Sequence, residues 1–268
     1  MVPRIIHQIF LSGTLPPELQ RNVSNLKALN PNWEHRLYDA AEAEKIVAEY
    51  GGEIAEAYHR IDSRYGAARA DLLRHLIIYR YGGVYCDIKS GFSRPLGDVI
   101  RLDDCYILSQ WRNRVGEPYE GRGLHHDVAH VPGGEFITYF IISEPNHPFT
   151  AATIARIVKN IFSYKSRDAV GRTGVLRTTG PIAYTLAVYP LLEHPHRFSS
   201  EEDLGAYPSI EYDHFAVFKN HYSLLRVPVV RLSLAKTFLS RLFVVLRWLS
   251  ASLRPSNRMP SGTKRSTA

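Results

Sequence analysis

The spacing of apolar residues along the chain predicts helices that alternate with short buried strands. The most periodic segment covers residues 67–81, where apolar side chains recur at helical spacing and Gly82-Gly83 follow as a C-terminal cap. Short apolar runs predict strands at residues 4–10, 36–38, 84–86, 105–108 and 136–142. Further helices are expected from Pro17 to about residue 30, from Asp39 to Gly51, and at 148–162 and 181–192. This alternation predicts an α/β fold with an at least partly parallel sheet.

Length and cysteine content narrow the class of protein. A chain of 268 residues with 45% hydrophobic content can bury a core of its own. Cys86 and Cys105 are too few for a disulfide framework and match no zinc pattern. The first ten residues contain His7 and Gln8, so we expect neither a signal peptide nor a membrane anchor there. No uncharged apolar run approaches the ~20 residues that cross a bilayer.

The positive charge of the chain is concentrated toward its C-terminal end. There are 33 basic and 26 acidic residues, a net charge of +7. Nine basic residues and no acidic one lie from Arg226 onward, which leaves 24 basic and 26 acidic residues in residues 1–225, a net charge of −2. A near-neutral body argues against nucleic acid as a partner, whereas a basic terminal segment favours an anionic membrane surface.

The C-terminal segment has its own pattern. Apolar residues between 231 and 253 are interrupted by basic ones, and Lys236, Arg247 and Arg254 cluster on a helical wheel. This pattern predicts a basic amphipathic helix at a membrane surface, with a helix packed on the protein body as the alternative. The expected division is therefore a domain at 1–225, this helix at 226–254 and a disordered tail at 255–268.

The candidate chemistry lies around the helix that ends at Gly82-Gly83. Asp71 and Arg74 are three residues apart and share a helix face. From Asp71 the helix runs about ten residues, or ~15 Å, and after the glycine turn the strand returns about four residues, or ~13 Å, to Asp87. The carboxylates should therefore lie near one level, at the strand end where α/β sheets bind ligands. Such a pocket suits a hydroxylated, anionic ligand.

Two segments together resemble a known family. Residues 67–89 and 3–10 look like the sugar-nucleotide-binding region of glycosyltransferase family 32, and the glucosylating domains of large bacterial toxins are similar. The shared features are an Asp, an Arg three residues later, and an Asp-x-Asp after a Gly-Gly-x-Tyr turn. Residues 143–149 and 179–181 match more loosely, so the resemblance covers roughly the first 190 residues.

The resemblance implies a GT-A type, Rossmann-like nucleotide-sugar-binding sheet flanked by helices. It implies retaining transfer of a sugar from a UDP- or GDP-sugar to a glycan or lipid-linked acceptor, in surface polysaccharide or glycolipid biosynthesis. Asp71, Arg74 and Asp87 would be the catalytic residues, with Asp87 as the first acid of the Asp-x-Asp. Among the implied donor-binding residues, His7, Gln8 and Phe10 would line the nucleotide base. Asp71 and Arg74 would hold hydroxyl groups of the donor sugar, with Arg69 nearby on the helix. The other implied donor-binding residues are Lys89, Thr179 and Gly180.

One residue departs from the family pattern. The second acid of Asp-x-Asp is Lys89, which strand alternation places on the same side as Asp87. Either Asp87 keeps Mn²⁺ or Mg²⁺ with the diphosphate and a downstream group such as His221 or Asp213, or the Lys89 ammonium replaces the metal as countercharge for the leaving diphosphate. Retained metal, bound by Asp87 and His221, is the preferred hypothesis.

No nucleophile for a retaining reaction can be selected from the sequence. Glu135, Glu144 and Asp127 are candidates, and none has supporting spacing. His125, His126 and His130 lack the intervening Glu of a zinc hydrolase, so residues 125–130 are expected to be a surface loop.

The predicted function is a cytoplasmic glycosyltransferase held peripherally at the inner face of the membrane. One alternative is a nucleotide-sugar- or glycan-binding protein that lost turnover with the second acid. Another is an effector that glycosylates host proteins, for which no secretion signal is visible in the sequence.

Overall fold

A mixed β-sheet with helices packed against it organises the chain. The computed structural model describes residues 1–165, 168–210 and 222–231. Its strands are β1 (Ile5–Ile9), β2 (Glu34–Tyr38), β3 (Gly83–Cys86), β4 (Gly91–Phe92), β5 (Tyr106–Leu108), β6 (Phe140–Ser143), β7 (Arg197–Phe198) and β8 (Ala206–Tyr207). Its helices are α1 (Pro17–Leu29), α2 (Ala40–Tyr50), α3 (Gly52–Arg60), α4 (Gly66–Tyr81), α5 (Leu96–Val99), α6 (Pro148–Ser163), α7 (Gly171–Thr178), α8 (Pro181–Val188) and α9 (Glu201–Leu204).

The main sheet is mostly parallel, as the alternation of helices and strands predicts. Its strand order is β2-β1-β3-β6-β5-β7, and β4 pairs with β8 in a separate two-stranded ribbon. β1 is parallel to both β2 and β3, and β5 is parallel to β7. β6 is the antiparallel member, between β3 and β5. The carboxyl ends of β1 and β3 therefore meet at one edge of the sheet.

The turn between α4 and β3 fixes the geometry of the site. Gly82 and Gly83 have φ angles of +62° and +93°, which favour glycine. Both are also tightly packed: a β-carbon on Gly83 would lie 2.4 Å from the carbonyl oxygen of Ile5, and one on Gly82 would lie 2.7 Å from Pro145. The turn thus holds α4 antiparallel to β3 and brings residues 71 and 87 to the same end of the sheet.

Local signals predict several element boundaries well. Asp39 caps α2 through a capping box with Glu42, and Gly51 ends that helix. The helix predicted at 181–192 ends as an α-helix at Val188 and continues as a 3₁₀ turn through Leu191, because Pro190 has no N–H to donate. The strand predicted at 136–142 is regular only from Phe140, although Phe136 forms an isolated bridge with Gln110.

The C-terminal predictions fall largely outside the described residues. Residues up to Arg231 belong to one compact unit, in which Val230 bridges Ile61. Of the amphipathic helix predicted at 226–254, only residues 226–231 are described, and they are not helical, because Val230 pairs with Ile61 there. Residues 232–254, the predicted tail at 255–268, and the candidate metal ligands His221 and Asp213 lie outside the described ranges. Within those ranges, no helix combines the length and the apolar character needed to cross a bilayer.

Candidate active site

A cavity of about 530 Å³ opens at the carboxyl ends of β1 and β3. Ile9 and Phe10 border it from the end of β1, and residues 87–89 border it from the end of β3. Helix α4 contributes Asp71 and Arg74. Other lining residues that matter below are Tyr85, Trp111, Arg122, His125, Glu135, Thr138 and Arg172. The site is therefore at the sheet edge that the glycine turn predicts.

Arg74 is the centre of a buried polar cluster. The Arg74 guanidinium forms a short ion pair with Asp71, donates to the carbonyl oxygen of Thr138 at 2.6 Å, and reaches Asp87 Oδ1 at 3.3 Å. Only 5% of Arg74 and 7% of Asp71 are exposed. Thr179 Oγ1 donates to the second oxygen of Asp71 at 2.8 Å. The arginine therefore ties the helix carboxylate to the strand-end carboxylate, as the sequence geometry predicts.

Asp87 is the accessible member of this cluster. Its side chain is 28% exposed, and its Oδ1 accepts a hydrogen bond from the Tyr85 hydroxyl at 2.7 Å. Burial raises the pKa of Tyr85 well above its ordinary value, so the phenol stays protonated and keeps donating. Two donors therefore hold one carboxylate oxygen while the group faces the cavity.

Three cations border the cavity without an ion pair in the described part of the chain, and one of them, Arg122, lies over the Trp111 ring. The other two, Lys89 and Arg172, line the cavity, and neither forms an ion pair with a carboxylate of residues 1–165, 168–210 or 222–231. An unpaired cation beside a ligand cavity can neutralise an anionic ligand group. Arg172, on α7, is a residue that the sequence did not single out.

Several predicted donor-binding residues lie behind the cavity wall. His7 is fully buried, bonded to Gly82 O and Tyr38 Oη at 2.9 Å each, and burial lowers its pKa to about 4. Gln8 is also fully buried and interacts with His35. Arg69 donates to the carbonyl oxygen of Ile61. These three side chains do not line the described cavity, whereas Phe10 does.

The predicted pair Thr179 and Gly180 supports the site from outside. Thr179 is fully buried and reaches the cavity only through its hydrogen bond to Asp71. Gly180 is packed on α7, since a β-carbon there would lie 3.0 Å from Leu176 Cα. The neighbouring Val175, Leu176 and Pro181 line the cavity instead.

Among the three nucleophile candidates, the structure brings only Glu135 to the cavity. Glu144 pairs with the N-terminal ammonium of Met1, and Asp127 pairs with Arg177 at 3.0 Å. Glu135 is 6% exposed and accepts a hydrogen bond from Trp111 Nε1 at 3.0 Å. His125 also lines the cavity, so the expectation of a plain surface loop at 125–130 is incomplete.

The geometry agrees with comparisons to known proteins. Residues 16–107 match the family described as the glycosyltransferase sugar-binding region containing a DXD motif. Inositol phosphoceramide mannosyltransferase 3 of Schizosaccharomyces pombe is 31% identical over 183 residues, which are 68% of this chain and 43% of the relative. Mannosyl phosphorylinositol ceramide synthase CSH1 of Saccharomyces cerevisiae is 21% identical over 182 residues, 68% of this chain and 41% of the relative. The chain spans about two fifths of the length of these relatives.

Solved structures show the same fold. The PaToxG glycosyltransferase matches with a TM-score of 0.51 at 17% identity, over 92% of this chain and 87% of that structure. The ligand-free glycosyltransferase domain from the YGT toxin matches with a TM-score of 0.50 at 11% identity, over 97% of this chain and 92% of that structure. The GT-A fold and the family resemblance predicted from the sequence are thereby confirmed. Residues 16–107 of this chain are thus similar to the glycosyltransferase sugar-binding region that contains the DXD motif, with Lys89 at the second acidic position.

Proposed function

We propose that this protein transfers a sugar from a UDP- or GDP-sugar to a glycan or lipid-linked acceptor, with retention of configuration, in surface polysaccharide or glycolipid biosynthesis. The observation that carries the proposal is the Arg74 guanidinium, which joins Asp71 and Asp87 at the wall of a cavity that Lys89 also lines. The relatives named as inositol phosphoceramide mannosyltransferases make GDP-mannose the first donor to test.

Each residue of the cluster has a proposed role. Asp87 faces the donor diphosphate or its counterion. Asp71 and Arg74 hold Asp87 in place, and the parts of their side chains that line the cavity form hydrogen bonds with hydroxyl groups of the donor sugar. Lys89 and Arg172 stabilise the negative charge that builds up on the departing nucleotide, because fixed cations lower the free energy of a developing anion.

Glycosyltransferases with a DXD motif and this fold generally use a divalent metal. The donor set of this chain is small: within the described ranges no cluster of three or more carboxylate, histidine or cysteine side chains could hold a metal ion. Asp87 still fits Mn²⁺ or Mg²⁺, since its second carboxylate oxygen has no hydrogen-bond donor from the described residues and hard cations accept diphosphate oxygens as further ligands. His221 remains a proposed additional ligand. The metal would supply countercharge to the diphosphate.

Changing Lys89 to Asp tests the balance between ammonium and metal. Lys89→Asp restores a second acid, so the metal concentration for half-maximal donor hydrolysis should fall at least tenfold. EDTA should also abolish hydrolysis by the wild-type protein. Activity that survives EDTA, followed by strict metal dependence of the variant, would instead assign the countercharge to the lysine ammonium. Arg64→Asp is a matched control, because Arg64 lines the same cavity but pairs with Asp62 at 2.8 Å.

A donor screen tests the proposed activity directly. Glycosyltransferases can transfer the donor sugar slowly to water, so UDP-, GDP- and other nucleotide-sugars should be incubated with the protein, with and without Mn²⁺. We expect release of free nucleotide from one class of donor, together with free sugar of the donor's anomeric configuration. Binding of a nucleotide-sugar without any release of nucleotide would contradict the proposal and favour a binding protein.

We further propose that the protein is cytoplasmic and attaches to the inner face of the membrane through its basic C-terminal segment. The support is the local excess of positive charge and the amphipathic pattern of residues 231–253. Reversing the charge of Lys236, Arg247 and Arg254 to Glu should release the protein from phosphatidylserine-containing vesicles at about 0.1 M salt. Flotation that is unchanged by the three substitutions would contradict this attachment.

A further inference from the structure

A second polar centre lies on the cavity wall, away from the Asp71–Arg74–Asp87 cluster. It is built by residues 111–135, and its members are Glu135, Trp111 and His125, all of which line the cavity. Trp111 Nε1 donates to Glu135 Oε1 at 3.0 Å, and His125 Nε2 lies 3.1 Å from Glu135 Oε2. We call these three residues the Glu135 centre.

The chain is shaped closely around the Glu135 centre. Gly123 has a φ of +76°, and a β-carbon there would lie 2.7 Å from Glu135 Cγ and 2.8 Å from Trp111 Cδ1. The Glu135 backbone N–H donates to the carbonyl oxygen of Gly123 at 3.0 Å. The Arg122 guanidinium covers the Trp111 ring at 3.9 Å from its centroid. Backbone and side chains thus fix the carboxylate in one position.

A single segment, residues 135–139, connects the Glu135 centre with the donor cluster. Residues 136–139 run beside the neighbouring strands: Ile137 N donates to Ser109 O at 2.8 Å, and Asp87 N donates to Tyr139 O at 2.7 Å. Thr138 O, which binds Arg74, follows Glu135 by three residues. Three residues span at most ~10 Å of backbone, so the two centres are neighbours along the cavity wall.

The chemistry of the Glu135 centre suits a neutral ligand with several hydroxyl groups. A carboxylate accepts hydrogen bonds from hydroxyls and repels a diphosphate, so this wall is unfavourable for the anionic part of a nucleotide-sugar. Burial raises the pKa of Glu135, while Trp111, His125 and Arg122 all oppose that shift. Trp111 donates to Glu135 Oε1, whereas Glu135 Oε2 is buried 3.1 Å from His125 Nε2 and has no hydrogen-bond partner among the described residues, so this oxygen can accept from a ligand hydroxyl.

We propose that Glu135 and His125 form the acceptor subsite, where they bind hydroxyl groups of a sugar or cyclitol headgroup beside the donor. This inference rests on the proposed glycosyltransferase function. His125 is the more accessible partner, with 30% of its side chain exposed against 8% for Glu135. Glu135 therefore orients the His125 imidazole and accepts a hydrogen bond from an acceptor hydroxyl group at the cavity surface.

The test separates transfer from hydrolysis. Glu135→Gln keeps an oxygen that can accept from Trp111, removes the negative charge, and replaces the second acceptor oxygen with an NH2 donor. With the donor found in the screen, and methyl α-mannoside or myo-inositol as acceptor probe, the ratio of transfer to donor hydrolysis is measured for this variant and for the wild-type protein, and it should fall in the variant. Transfer to the probe should fall at least tenfold through a higher KM for the acceptor. His125→Gln should shift the partition in the same direction.

Glu201→Gln is the matched control. Glu201 is a buried carboxylate, 3% exposed, that accepts from the Tyr139 hydroxyl at 2.5 Å and does not line the cavity. Its substitution should leave the ratio of transfer to hydrolysis unchanged. Equal losses of hydrolysis and transfer in Glu135→Gln would overturn the proposal and place Glu135 in the donor chemistry. An unchanged ratio would also overturn it.

A binding measurement keeps this inference distinct from the proposed function. Trp111 contacts Glu135, so acceptor binding should change tryptophan fluorescence when methyl α-mannoside or myo-inositol is titrated in the presence of UDP or GDP. The change should be lost in Trp111→Phe, and the apparent Kd should rise at least tenfold in Glu135→Gln. If no donor is hydrolysed, the proposed function fails while this titration still decides whether the acceptor subsite exists. A titration without any fluorescence change would then reject the subsite.

Discussion

Changing Asp87 to Asn lowers donor hydrolysis at least about 100-fold and leaves the unfolding temperature nearly unchanged. The loss is expected because a fixed charge at the diphosphate contributes to stabilisation of the transition state. The fold should tolerate the change, since the Asp87 side chain is 28% exposed and an Asn oxygen can still accept from Tyr85 and Arg74. The measurement is single-turnover release of nucleotide, paired with a thermal unfolding scan.

Asp127→Asn is the control for this prediction. The Asp127 side chain is also 28% exposed and pairs with an arginine, Arg177, at 3.0 Å, but it does not line the cavity. Its hydrolysis rate should stay within about twofold of wild type. A large drop in the unfolding temperature of Asp87→Asn would assign Asp87 a structural role, and full activity in that variant would remove it from the site.

Changing Asp71 to Asn should have its largest effect on stability. Arg74 is 5% exposed, and Asp71→Asn removes the nearest negative charge from its guanidinium, so that only Asp87, at 3.3 Å, still balances it. Breaking a buried ion pair leaves a charge uncompensated, and we expect the free energy of unfolding to fall by about 3 kcal/mol, the lower end of such effects because Asp87 remains. Urea unfolding followed by circular dichroism measures this difference.

Glu18→Gln is the control with the same spacing. Glu18 and Arg21 are also three residues apart on a helix, but their side chains are 41% and 70% exposed and their charged atoms are 3.8 Å apart. Removing one partner of an exposed pair should change the free energy of unfolding by less than about 1 kcal/mol. Equal effects of Asp71→Asn and Glu18→Gln would mean that the Asp71–Arg74 pair contributes no more than a surface pair.

Local chemistry explains why the donor cluster could be predicted from the sequence. Asp71, Arg74 and Asp87 lie within 17 positions of one another on a helix, a glycine turn and a strand, and each element has a short-range signal. The rise per residue of helix and strand then determines where the three charges meet. Arg172 gave no such signal, because α7 reaches the cavity only through the packing of distant segments.

Burial is the property that the sequence predicted least well. His7 and Gln8 belong to a recognisable opening segment, yet both are fully buried, and His7 supports the turn through Gly82 rather than the cavity surface. Strand alternation indicates which residues share a face, but a strand inside a sheet covered on both sides has no solvent face to present. The side on which a cavity opens therefore depends on the helices that pack there.

The sequence by itself determined the α/β class, the helix–turn–strand unit with its three charges, and the substitution of Lys89 for the second acid, since these follow from spacings of a few residues. Only the tertiary structure decided which of the candidate carboxylates reaches the cavity. Glu135 meets Trp111, 24 positions away, because Gly123 and the neighbouring strands bring the two segments into contact. Residues so far apart in the sequence leave no periodic pattern from which their contact could be predicted, because the contact forms only when the sheet brings the two segments together.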